Sequence, residues 1–230
     1  MVEEMARIKT STDLKILEIL MFEPMSQYAI HKEIKMHYRT ILRHIKELEE
    51  QKRVKNIDRE PSSKGGIEKN IYGLTTAGLV EALTNFSDTV KDWDKVAQVN
   101  ANLLTYIFGK WNLFKEKNFT KSILILLKEA LLQLKNRDLT SLTESEISNY
   151  ITRRVFFGLE WSGLDKGRED LVKNLLPKDR DLKDFTDNFF QEQRIQLQTW
   201  TENLEKWIRL WQMAKSEQAP DEVALLTHSK

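Results

Sequence analysis

Between residues 37 and 44 the chain carries His37, Tyr38, Arg39, Thr40, Arg43 and His44 in one short stretch. Each of these side chains offers hydrogen-bonding atoms. They interleave with Ile41, Leu42, Ile45 and Leu48, which recur at helical spacing and predict a helix from about Tyr38 to Lys52 with the polar set on its solvent side. A helix of this kind suits the major groove of B-DNA, where bases are read by side chains near the helix N-terminus. An arginine can make two hydrogen bonds to guanine there, worth about 1–3 kcal/mol of discrimination. Ser26 and Gln27 stand at the expected start of the preceding helix, where free backbone N–H groups can hold a phosphate. Arg59, Lys64 and Lys69 flank a polar loop and would add positive charge beside the same duplex. These eleven positions are the expected contacts to double-stranded DNA.

Other chemistries find little support. The chain has no cysteine, which removes disulfides, thiolate metal sites and cysteine nucleophiles. His37 and His44 are two helical turns apart, too far to share an ion without a third element, so no metal site is expected. There is no phosphate loop, no GxSxG and no HExxH. Glu160, Asp165, Glu169 and Asp170 lie among Lys166 and Arg168 and read as solvated helix ends. His228 is alone near the end of the chain. The expectation is a protein without catalytic residues or cofactor.

The elements that would position the polar set follow from composition and pattern. The 230 residues include 36 Lys plus Arg, 35 Asp plus Glu, eight Gly and four Pro. That balance suits a soluble helical chain, expected in the cytoplasm, since no signal-peptide pattern or membrane-length apolar run is present. The near-zero net charge conceals a local excess: residues 35–69 hold ten basic and six acidic groups. Thr10, Ser11 and Thr12 can cap a first helix whose buried face is Leu14, Ile16, Leu17, Ile19 and Leu20, ended by Pro24. Ser26 caps a second, short helix with Ile30 and Ile34. After the third helix, Val54–Arg59 and Asn70–Leu74 read as two strands around a loop with a Gly-Gly pair. Thr75 or Thr76 then caps a helix through Leu79 and Leu83.

The stretches Ser26-Gln-Tyr-Ala-Ile-His-Lys-Glu-Ile34 and His37-Tyr-Arg-Thr-Ile-Leu-Arg-His-Ile-Lys-Glu-Leu-Glu-Glu50, the Lys64-Gly-Gly tip and Ile71-Tyr-Gly-Leu-Thr-Thr-Ala-Gly78 resemble prokaryotic, archaeal-type winged helix-turn-helix transcriptional regulators of the PadR-like, MarR-like and ArsR-like groups. The resemblance spans about residues 10–84. It implies three helices and a two- or three-stranded wing sheet, with the third helix in the major groove and the wing on the backbone or in a minor groove. Members often carry glycine just after the third helix, where the chain turns left-handed; here Lys52 and Arg53 stand there. A non-glycine residue in that conformation costs about 1 kcal/mol, so the turn is expected to depart locally.

Beyond residue 86 the chain reads as all-helical, giving an expected division into 1–86, 87–215 and a tail from 216 to 230. All six Trp lie in the C-terminal part. One long helix is expected from about Ser87 to Trp111. A largely apolar one should surround Ile123–Leu127, and a capping box at Thr143 and Glu146 should open another. Gly158 and Gly163 should act as breakpoints. A last long helix from about Leu182 to Met213 carries Leu197, Trp200, Leu204, Trp207 and Trp211 at heptad-like steps. Trp93, Trp111, Trp200, Trp207 and Trp211 are the candidates for a homodimer interface, since palindromic operators are read by two-fold dimers. An aromatic-lined site for a small apolar effector is a further expectation. The competing reading is a winged-helix protein–protein adaptor in a larger complex, with the aromatic helical part as its docking surface; it would gain if Arg39 and Arg43 were neutralised by the chain's own acids.

Overall fold

The computed structural model describes residues 11–60, 69–135, 139, 141–158 and 166–217. They are mostly helical, with one small three-stranded antiparallel sheet. The chain forms two compact units, 1–175 and 176–230. The division expected near residue 86 does not separate them.

In the first unit, α1 (Ser11–Phe22) buries Ile16, Leu17, Leu20 and Met21 completely. After Pro24 come β1 (Met25–Ser26) and α2 (Gln27–Ile34), whose N-cap Ser26 accepts a hydrogen bond from Ala29 N–H at 3.2 Å. Lys35, with φ 58°, ends α2 and turns the chain into α3 (Tyr38–Glu50). Ile41, Ile45 and Leu48 bury the inner face of α3 against α1 and α2 as their spacing predicts. Two longer strands follow, β2 (Val54–Glu60) and β3 (Lys69–Leu74), with β3 central in the order β1-β3-β2. The β2–β3 register runs from Val54 opposite Leu74 to Glu60 opposite Lys69, with a bulge between Asn56 and Asp58.

The turn after α3 does not depart as expected. Lys52 takes φ 55°, in the left-handed region. What holds it there is the start of α4 (Thr76–Phe86). The Thr75 hydroxyl donates to the carbonyls of Lys52 (2.6 Å) and Arg53 (3.1 Å) and accepts from Gly78 N–H (3.0 Å). Gly78 packs so closely that an added Cβ would lie 1.9 Å from the Arg53 carbonyl oxygen. Arg53 then pairs with Glu81 of α4 at 3.0 Å, with both side chains buried.

Helix α4 also packs on α7 (Thr120–Leu132) and α8 (Glu144–Phe157), so the helical region shares a core with the sheet-bearing region. The single helix expected over Ser87–Trp111 is broken. Helix α5 (Trp93–Val99) stops at Asn100, turns occupy 101–110, and α6 (Trp111–Glu116) follows. The break has a tertiary cause: the buried Asn100 amide donates to the carbonyls of Met21 and Val96, both at 2.8 Å, tying this point to the end of α1. Helix α7 buries Ile123, Leu126 and Leu127 but leaves Ile125 and Leu132 exposed, so it is covered on one side rather than all round. The capping box of Thr143 and Glu146 opens α8 as expected. Gly158 ends α8 at φ 72°, beside Arg168 of α9 (Lys166–Asn174), whose buried guanidinium donates to Glu129 at 2.9 Å.

The second unit comprises a 3-10 turn at Leu176–Lys178 and α10, a 38-residue helix at Arg180–Glu217, about 57 Å long at 1.5 Å per residue. No described helix is long and apolar enough to cross a membrane.

Candidate nucleic-acid interface

The N-terminal end of α3 is held by a polar relay. Tyr72 on β3 accepts from the Gln27 side-chain amide at 2.9 Å, and the Tyr38 hydroxyl reaches the Gln27 carbonyl oxygen at 3.5 Å. His31 Nδ1 lies 2.5 Å from the Met36 carbonyl, closing the turn between α2 and α3. The His31 ring meets Tyr38 edge-on at 5.8 Å, and Lys32 sits 4.6 Å over Tyr28. Ser26 and Gln27 are thus half-buried residues that already serve the fold, one as a cap and one as a strut.

What this leaves in solvent is His37, Tyr38, Arg39 and Arg43. His37 is the N-cap of α3 and makes no side-chain cap bond, while its carbonyl accepts from the Thr40 and Ile41 N–H groups. Arg39 has no ion-pair partner among the described residues. Arg43 has only Glu47 of its own helix, at 3.9 Å, and its side chain is 67% exposed. Thr40 is half-buried.

His44 is not on this face. Its side chain is buried and turned toward α1, with Nδ1 2.8 Å from Asp13 Oδ1. The expected role of His44 in touching DNA is therefore corrected. Asp13, which anchors it, gave no sign in the sequence beyond its place in the first turn of α1.

Arg59 and Lys69 are exposed where β2 and β3 pair, Arg59 opposite Asn70 and Lys69 opposite Glu60. Asp58 accepts the Arg59 N–H at 2.7 Å, so acidic groups stand among the basic ones here. Lys64 lies outside the described residues.

The tryptophans separate into two kinds. Trp111 is buried, and its indole N–H donates to Asp94 at 2.7 Å. Lys115 first and Trp111 second hold the Asp94 carboxyl below its ordinary range by hydrogen bonding. Trp111 is thus a core residue of the first unit rather than an interface residue, and Trp93 is half-buried. Trp200, Trp207 and Trp211 on α10 are 62%, 71% and 65% exposed.

A cavity of about 430 Å³ opens between the base of the hairpin and the start of α8, lined by Lys52, Val54, Thr75, Leu139, Leu142 and Ile147 among others. At its edge Lys55 pairs with Glu144 at 2.8 Å, and the Thr76 hydroxyl donates to the same carboxylate at 3.1 Å. Sequence reasoning missed these residues because they are far apart in the chain.

A scan of protein-family models, of curated proteins and of solved structures finds no match to this chain.

Proposed function

We propose that this chain is a sequence-specific, double-stranded DNA-binding transcription regulator built as a winged helix-turn-helix with a helical partner region, working in the cytoplasm as a homodimer. The observation that carries the reading is the state of Arg39 and Arg43. Both lie on the solvent face of an anchored helix, near an N-terminus that has no side-chain cap. Among the described residues only one carboxylate, on the same helix at 3.9 Å, pairs with either of them. Exposed pairs of that kind contribute little, so both guanidinium groups are available to a partner. This observation works against the adaptor reading, which needed those arginines neutralised internally. Tyr38 and His37 add donors at the leading turn, and Lys69 and Arg59 supply charge from the hairpin.

The dimer rests on α10. Phe190, Leu197, Trp200, Leu204, Trp207 and Trp211 are exposed and spaced by seven, then alternately by three and four. A mean step of 3.5 residues is the seam of a coiled coil, for which a second copy of the same helix is the natural occupant. The cavity beside Lys52 and Leu142 is the place for a small, partly apolar effector.

Genome-wide pull-down of DNA bound to the full chain, followed by gel shifts on the enriched sites, tests the reading. A short inverted repeat should be enriched and bound in preference to random duplex. Absence of any enriched site, with no shift of duplex DNA at low salt, overturns it.

A further inference from the structure

The pairing of His44 with Asp13 brings a third group with it. Glu47 follows His44 by three residues on α3, on the same side of the helix. One ligand atom from each of Asp13, His44 and Glu47 lies within 4.8 Å of the other two. Their side chains are 14%, 7% and 19% exposed, so the cluster is sheltered from solvent.

We propose that Asp13, His44 and Glu47 form a binding site for a first-row divalent transition ion that clamps α1 to α3. The chemistry of the donors selects the ion. One imidazole nitrogen and two carboxylates suit zinc or manganese(II), whereas magnesium and calcium prefer all-oxygen shells. Two carboxylates also match the double positive charge. Glu47 adds a second carboxylate to the His44–Asp13 pair and completes a set of three ligands. Ligand atoms around a tetrahedral zinc stand about 3.3 Å apart, given bonds of about 2.0–2.2 Å. The Nδ1–Oδ1 distance of 2.8 Å must therefore open only slightly. Three protein ligands leave a coordination position for water. Arg43 stands 3.9 Å from Glu47, and its largely exposed side chain can swing aside.

The ion would tie the first turn of α1 to the middle of the helix that bears Arg39 and Arg43. Any effect on DNA affinity rests on the function proposed above; the metal site itself does not.

The test is calorimetry and thermal melting of the full chain after chelator treatment, with zinc chloride, manganese(II) chloride and magnesium chloride as probes. Zinc or manganese(II) at a hundredfold excess over Kd should raise Tm by about 5 °C or more, and magnesium should not. Glu47→Gln and Asp13→Asn keep size and hydrogen-bonding capacity, so both should fold, as circular dichroism would check, and each should weaken binding tenfold or more. Absence of heat and of any Tm rise with the wild-type chain overturns the site. So does binding left unchanged in both variants, which would place the ion on other histidines. Because these readouts need no DNA, they stand or fall apart from the gel shifts.

Discussion

Helices α3 and α10 both present an extended face to solvent, and the two faces differ in kind. On α3 the exposed residues are Tyr38, Arg39 and Arg43 near the N-cap His37 and Lys46, Glu49 and Glu50 further along, while Ile41, Ile45 and Leu48 on its other side are buried. On α10, Leu182 and Phe189 are buried, yet beyond Phe190 no residue of known exposure is buried, and Trp200, Trp207 and Trp211 are each more than half exposed. Exposed arginine is ordinary. A run of exposed tryptophans is not, because large apolar patches are rare on isolated chains. The same helical period therefore yields an anchor in one case and an uncovered face in the other. What differs is whether the residues of the stripe are buried.

The sharpest way to break the α3 side of this contrast is to disturb its anchor rather than its exposed face. Gly78→Ala places a methyl group where the Arg53 carbonyl oxygen already stands, 1.9 Å away. Backbone cannot yield as a flexible side chain does, so the variant should lose about 3 kcal/mol in urea unfolding, the upper range for overpacking. A loss below about 1 kcal/mol would show that the Lys52–Arg53 turn is looser than its three hydrogen bonds imply.

The α10 side breaks differently. Trp207→Ala should leave the melting of the first unit unchanged, since the side chain is 71% exposed. It should weaken self-association by about 30-fold, the effect of losing a 2 kcal/mol aromatic anchor at an interface. Sedimentation equilibrium across micromolar concentrations reads this directly. Wild-type chain that remains a monomer would assign the stripe to another partner.

A smaller effect is expected at the solvent face of α3. Arg43→Ala should reduce preference for the best duplex over random duplex by about tenfold, near the low end for losing a two-bond arginine contact. Its pair with Glu47 is too long and exposed to affect stability measurably. Competition gel shifts with specific and random duplex separate loss of preference from general weakening.

How much of this was legible depended on whether the cause was local. Thr143 and Glu146 announced a capping box because both partners lie within one helical turn. The inner stripe of α3 was readable for the same reason. His44 was misplaced by its polarity: it follows Ile41 by three and precedes Leu48 by four, so its position alone puts it beside the buried face. Asp13, which makes that burial acceptable, is 31 residues away in sequence. The break at Asn100 was hidden because its cause is the Met21 carbonyl, 79 residues away. The stripe of aromatic residues gave correct helical spacing at Trp207, whereas the one ending at Trp111 crosses the turns at 101–110. No period can tell that one is packed inside the chain and the other faces solvent.

The smallest expected effect concerns the turn that ends α3. Lys52 has φ 55° and Lys35 has φ 58°, both in the region where a Cβ crowds the following carbonyl, at a cost of about 1 kcal/mol or more each. Glycine at either place removes that crowding but loses about 0.5–1 kcal/mol to the greater freedom of the unfolded chain. Lys52→Gly should therefore stabilise by only about 0.5 kcal/mol, a rise in Tm of about 1–2 °C. Lys35→Gly should do the same, and the two gains should add because the sites share no hydrogen bond. A fall in Tm for Lys52→Gly alone would mean that the lysine side chain, which lines the cavity with Thr75 and Leu142, contributes packing that outweighs its backbone strain. That outcome would make the turn after α3 part of the cavity wall in energy as well as in geometry, beside Glu49 at the end of the helix itself.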